Sequence, residues 1–109
     1  MKLVEDRKAE KWLRETWDGK FQWDVGNKEK LAKHKVTQRE IEHLFQKRNV
    51  FAGRIIPPPN ATWSEEARYL QLGTTPDERT FSVIWTIRET RIRPISCRRQ
   101  REDEKKRFN

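Results

Sequence analysis

Arg79-Thr80-Phe81-Ser82-Val83-Ile84-Trp85-Thr86-Ile87-Arg88, joined by Glu89-Thr90 to Arg91-Ile92-Arg93-Pro94-Ile95-Ser96-Cys97-Arg98-Arg99, is the stretch from which the fold can be read. In its first half Phe81, Val83, Trp85 and Ile87 alternate with Thr80, Ser82, Ile84 and Thr86. That period of two sends one set of side chains to a core and the other to the opposite face of a strand. Glu89-Thr90 supplies a tight connection, and Ile92 to Cys97 returns as an antiparallel neighbour. The returning segment is dense in charge, with five arginines (88, 91, 93, 98 and 99) in the twelve residues 88–99. Guanidinium groups are planar, permanently charged and forked, so several on one rigid strand suit phosphate oxygens. A solvated strand kept soluble by its arginines is the competing explanation.

Outward from this hairpin, Pro76-Asp77 builds a turn over 74–78, and Glu66 to Gly73 alternates again, with Arg68, Leu70 and Leu72 opposite Tyr69 and Gln71. Pro57-Pro58-Pro59-Asn60 cannot continue a ladder, so a strand over Asn49 to Ile56 ends there. Thr37-Gln38-Arg39-Glu40 fits a capping box, followed by Ile41, Leu44 and Phe45 at core-facing helical spacing. Lys28 to His34 reads as a short polar helix with Leu31 and Ala32 inward, Asp24 to Asn27 as a turn, and Phe21-Gln22-Trp23 as a short strand. Residues 1–20 read as one charged helix, capped by Asp6 and ended by Gly19, with Val4, Ala9, Leu13 and Trp17 as its stripe and Trp12 off it. Arg99 to Phe108 is a charged helical tail. This order predicts an α+β fold: a small antiparallel sheet with two helices packed on one face and a C-terminal helix. The expected division is an N-terminal extension over residues 1–20 and one domain over 21–109.

A chain of 109 residues has room for one core. With 33% apolar and 39% charged residues that core should be thin, while five tryptophans argue against disorder. The net charge of +8 favours polyanionic partners, nucleic acid first. The basic field is C-terminal: residues 88–109 hold nine Lys/Arg against four Asp/Glu, whereas residues 1–20 hold six against five. No apolar leader and no run of membrane-spanning length is present, so the expected location is the cytoplasm. Cys97 is the only cysteine, and His34 and His43 are nine residues apart without a thiol or carboxylate pair at ligand spacing, so no metal site is expected.

Taken together, these segments resemble the BrnT toxins of type II toxin–antitoxin pairs, which share the RelE-like fold of small microbial ribonucleases. The resemblance runs over about residues 21–108. It is carried by Phe21-Gln22-Trp23-Asp24; by Asn27 with Lys33-His34-Lys35-Val36-Thr37; and by Glu40 and Phe45. It continues through Glu66-Ala67-Arg68-Tyr69-Leu70-Gln71-Leu72-Gly73, through Arg91 to Arg99, and through Glu104 with Phe108 in place of a Tyr. Lys35 stands where the family has a glycine, so a residue with a Cβ must make that turn. Pro94 replaces an apolar strand residue and removes a ladder donor, which points to an outer strand or a bulge.

The resemblance implies an endoribonuclease toxin that needs no cofactor. It also implies a cognate, BrnA-like, DNA-binding antitoxin that neutralises the toxin in a hetero-oligomer. Metal-free RNA cleavage needs a base for the 2′-OH, positive charge on the phosphorane-like transition state, and an acid for the 5′-oxygen. The resemblance brings Arg68, Arg91, Arg93 and Arg98 together for the second role. Glu66 is the candidate base and His34 the alternative, as the titratable groups in matched segments that could face the sheet. Arg88, Arg91, Arg99 and Lys105 are candidate RNA contacts. Glu66 with Arg68 could equally be a surface ion pair, and His34 could simply complement a helix end. Arg98 has the wrong strand parity to join Arg93 unless Pro94 bulges the strand. A non-catalytic basic module that docks on nucleic acid or an acidic protein is the alternative function.

Overall fold

The computed structural model describes residues 1–46, 50–63 and 65–108. The order is β1 (Leu3–Val4), α1 (Arg7–Glu15), α2 (Val25–Ala32), α3 (Gln38–Gln46), β2 (Val50–Ile55), β3 (Tyr69–Thr74), β4 (Thr80–Arg88), β5 (Arg91–Arg99) and α4 (Glu102–Phe108). The five strands form one antiparallel sheet in the order β1-β2-β3-β4-β5, so the α+β expectation holds. Asn49, read as the start of β2, and the side chain of Phe108 lie outside the described part.

The alternation of β4 decides the layers. Phe81, Val83 and Trp85 are fully buried and meet α1 and α3 through Ala9, Ile41, Leu44 and Phe45. Trp85 is the centre of this face: its ring lies 4.8 Å from Tyr69, 5.7 Å from Phe45 and 6.1 Å from Trp12, the last stacked at 27°. Its indole Nε1 finds no partner among the described residues, a cost of roughly 1–3 kcal/mol that the packing of the largest buried side chain offsets. The α3 capping box is present in both directions, Thr37 Oγ1 accepting from Glu40 N at 3.1 Å and Glu40 Oε1 from Thr37 N at 2.9 Å. Behind α3 the sheet must be bare: a Cβ at Gly73 would lie 2.8 Å from Leu44 Cδ2.

Two departures from the family pattern resolve in backbone geometry. Lys35 takes φ 56, the left-handed conformation that its glycine counterpart would adopt freely, and its carbonyl accepts from Arg79 Nη1 at 2.7 Å. Pro94 lies on the outer strand and at a bulge. Ile84 pairs with Ser96 while Trp85 pairs with Pro94, leaving Ile95 as the extra residue. The bulge reverses parity, so Arg93, opposite Thr86, and Arg98, opposite Ser82, face the same side of the sheet. That side also holds Leu70, Leu72 and Ile84.

The N-terminal segment differs from the single helix expected. Leu3–Val4 pairs with β2, and Asp6 then caps α1, accepting from Ala9 N at 3.0 Å. With the helix starting there, Ala9, Trp12 and Leu13 form the inward stripe at i, i+3 and i+4, and Trp12 packs on the core. Trp17, counted into the expected stripe, lies beyond the end of α1 at Glu15, and a stripe drawn through it turns away from Trp12. The expected turn at Asp24 to Asn27 is instead the start of α2: Asp24 and Asn27 form a reciprocal capping box through their side chains, and Gly26 sits in the first turn. Ala32, expected inward beside the buried Leu31, is exposed. Phe21 to Trp23 contributes one parallel bridge, Phe21 to Ile92, rather than a strand. Glu66 to Arg68 precede β3 rather than belong to it, and β5 reaches Arg99, so the tail helix begins only at Glu102.

Candidate active site

The side of the sheet opposite α1 and α3 carries two arginine clusters, one at each end. At the first, Arg68, Arg88 and Arg93 converge with Lys30 of α2 on a cleft of about 290 Å³, with Glu66, Asn27, Gly26 and Ile95 completing its wall. Each cation arrives by a different route. Arg88 ends β4, Arg93 sits on β5 just before the bulge, Arg68 follows the turn closed by Glu66 N and Trp63 O at 2.9 Å, and Lys30 lies one turn after Asn27 on α2.

Asn27 holds this assembly. Its side-chain nitrogen donates to Gln22 O and to Pro94 O, both at 2.9 Å. This fixes α2 against the outer strand at the point where Pro94 itself offers no amide. Arg93 donates to Asp24 Oδ2 at 2.8 Å and Gln22 Oε1 at 3.2 Å, which orients its planar group from one side. Its hydrogen bond and charge hold the Asp24 carboxyl below the usual range.

Glu66 is bound by two arginines: Arg88 donates to Oε1 and Arg68 lies 3.4 Å from Oε2. Burial pushes its pKa up, but the Arg88 hydrogen bond and the charges of Arg88 and Arg68 outweigh it, and the net direction is downward. In this state Glu66 is a stable anion and a weak base. The Arg68 guanidinium also lies 4.7 Å above the Trp63 ring, a cation–π contact that flattens it against the wall.

The second cluster is closed. Arg98 donates to both carboxylate oxygens of Glu104 at 2.7 and 2.8 Å, while Ser82 Oγ and Arg101 N donate to Oε1 at 2.9 and 2.8 Å. Burial raises the Glu104 pKa, yet these donors, Arg98 foremost, bring it down to about 2. Because Ser82 and Arg98 face away from Phe81 and Val83, α4 covers the side opposite α1 and α3.

The sequence-derived candidates therefore separate. Glu66, Arg68, Arg88 and Arg93 meet in one cleft. Arg98 shares their side of the sheet but lines a different hollow with Glu104. Arg91 is exposed near Asp18 at 3.7 Å. Arg99 lies 5.5 Å over the Phe81 ring, on the helix-covered side. Lys105 pairs with Glu102 at 3.2 Å on α4. His34 is exposed in the turn after α2 and is not among the cleft residues. Lys30, Asn27 and Trp63 were missed. The i, i+3 spacing of Asn27 and Lys30 would have shown them on one helix face had α2 been started at Asp24. The solitary Cys97 is buried in the core, and burial pushes its thiol up to about 12, so it is chemically quiet. Among the described residues no three His, Cys, Asp or Glu side chains gather as a metal site, and no helix is long and apolar enough to cross a membrane.

Fold and cleft together define a small basic α+β protein with three arginines and a lysine lining one recess. Residues 23–104 match the model of a family described as the ribonuclease toxin BrnT of type II toxin–antitoxin systems, and the chain belongs to that family. Membership in a type II system implies an antitoxin partner. No curated protein matches the chain.

Proposed function

We propose that the chain is an endoribonuclease toxin that cuts RNA without a metal at the Glu66–Arg68–Arg88–Arg93 cleft. The carrying observation is the charge count there: three guanidinium groups and one ammonium line one cleft with Glu66, which pairs with Arg88 and Arg68, while Asp24 pairs with Arg93. A phosphodiester gains a further negative charge as its 2′-oxygen attacks, and fixed cations in a recess stabilise that charge. An RNA phosphate competes with Glu66 for Arg88 and Arg68. Once those donors turn to the phosphate, burial dominates at Glu66, its basicity returns, and it takes the 2′-OH proton as the 2′-oxygen–phosphorus bond forms. Lys30 is the cleft cation that can release a proton to the departing 5′-oxygen, since arginine stays charged.

Incubation of the purified protein with cellular RNA in EDTA tests this, with Glu66→Gln and Arg93→Ala alongside. Glu66→Gln should lower kcat by roughly 10²–10⁴-fold while tightening binding of an uncleavable 2′-deoxy analogue, because the arginines lose their internal anion. Intact RNA with the wild type, or cleavage unchanged by both substitutions, would remove the proposal. A cytoplasmic, BrnA-like, DNA-binding antitoxin in a hetero-oligomer completes the picture, and co-expression with the neighbouring reading frame should restore growth.

A second reading rests on one observation: each cleft arginine already has a carboxylate partner within the chain. A non-catalytic module that trades those partners for nucleic-acid phosphates would show salt-dependent RNA binding without cleavage.

A further inference from the structure

Beside the charged cleft runs an apolar trough of about 720 Å³, walled by Ile56, Pro57, Pro58, Pro59 and Trp63 with Ile84 as its floor. Its volume is within the roughly 300–1,000 Å³ of small-molecule sites. Arg68 lines both hollows, so trough and cleft adjoin at a guanidinium that is stacked on Trp63 and ion-paired to Glu66. A chain that sets a phosphate on Arg68 has its adjoining nucleoside next to the indole. We infer that the trough is a nucleobase subsite in which the base flanking the bound phosphate stacks against Trp63 and Arg68. This rests on the reading of the cleft as an RNA phosphate site and adds how that site selects its position on the strand.

The wall also determines how a base is read. Prolines 57–59 carry no amide hydrogen, and Ile56 N is spent on Lys2 O at 3.0 Å. Along residues 56–59 a base therefore meets no free main-chain donor. Along that wall, stacking area, which is larger for a purine than for a pyrimidine, is what separates the bases, and stacking platforms give a mild preference rather than a strict code, with the main-chain carbonyls left as acceptors. The charge at the Arg68 end favours an anionic chain carrying flat apolar groups, which is the chemistry of single-stranded RNA.

The test uses the full-length protein and short oligonucleotides, 2′-deoxy at the central position, with adenine or uracil on either side of that phosphate. Wild type should bind the adenine probes more tightly, Trp63→Ala should lose roughly ten- to hundred-fold affinity for them and flatten the preference, and Trp63→Phe should restore most of it. Ile56→Ser, at a position 41% exposed, serves as a second variant that leaves the core alone and should weaken the preference in the same direction. The inference is overturned if Trp63→Ala and Ile56→Ser keep the wild-type base preference while Arg93→Ala weakens every probe alike. It is equally overturned if both variants bind RNA normally but escape neutralisation by the antitoxin, which would assign the trough to a protein. Failure of the underlying reading looks different: the wild type leaves ordinary RNA intact, or Arg93→Ala cleaves as well as the wild type.

Discussion

The two ends of the arginine-bearing sheet side use the same residue types to opposite effect. At the α4 end one arginine meets one carboxylate in a two-pronged pair, and Ser82 and a backbone amide complete it. At the α2 end Arg88 and Arg68 share Glu66, and Arg93 is held from behind by Asp24. The first arrangement satisfies its charges internally and fastens a helix. The second leaves cationic capacity facing an open recess. The ratio of arginine to carboxylate, and not the presence of arginine, separates the fastening from the proposed binding site.

The sharpest way to break this comparison is to remove one arginine from each end. Arg93→Ala should reduce kcat/KM on RNA by roughly 10²–10³-fold, whereas Arg98→Ala should leave it within a few-fold once the protein is folded. Equal losses in single-turnover assays would erase the distinction. Stability should respond in the reverse order. Glu104→Ala should cost about 2–3 kcal/mol in urea titrations, because charge-assisted hydrogen bonds and a half-buried guanidinium lose their partner. Arg68→Ala, at the open end, should cost about 1 kcal/mol or less.

Acid sharpens the contrast further. The folded-state pKa of Glu104, about 2, lies below the roughly 4.3 of an unfolded glutamate. Its contribution is therefore complete above that value and is lost as pH falls toward 2. Melting temperature should drop through this window, and Glu104→Gln should flatten that part of the profile. The smallest effect belongs to the rim: Arg91→Ala should change RNA affinity by less than about threefold while reducing its salt dependence, as read from binding isotherms at several ionic strengths.

Much of this was legible in the residue pattern. The β4 alternation, the α3 capping box and the β4–β5 hairpin are local, and local patterns survive folding. Pro94 was legible as a choice between an outer strand and a bulge, and the structure uses both. The pairing of Arg98 with Glu104 was not legible, because the two residues meet only when α4 turns back over the sheet. The start of α2 was hidden because Asp24-Val25-Gly26-Asn27 carries turn composition, and only the reciprocal side-chain bonds make it a cap. Glu66 was expected on a strand; it lies in a turn, where its neighbours come from three separate segments rather than from strand parity. His34 was singled out by its place in a motif, and a motif position says nothing about which way a turn residue projects.

The α1 helix packs on the side of the sheet away from the charged cleft, through Ala9, Trp12 and Leu13. Residues 1–22 nevertheless complete both margins of the sheet. Lys2 O and Leu3–Val4 occupy the free side of β2, and Asp18 N, Lys20 O and Gln22 N occupy the free side of β5. A chain shortened by those residues would present two unoccupied rows of amides and carbonyls at once, the template on which strands from other copies add. Such a truncation should surface as concentration-dependent aggregates rather than as a freer enzyme.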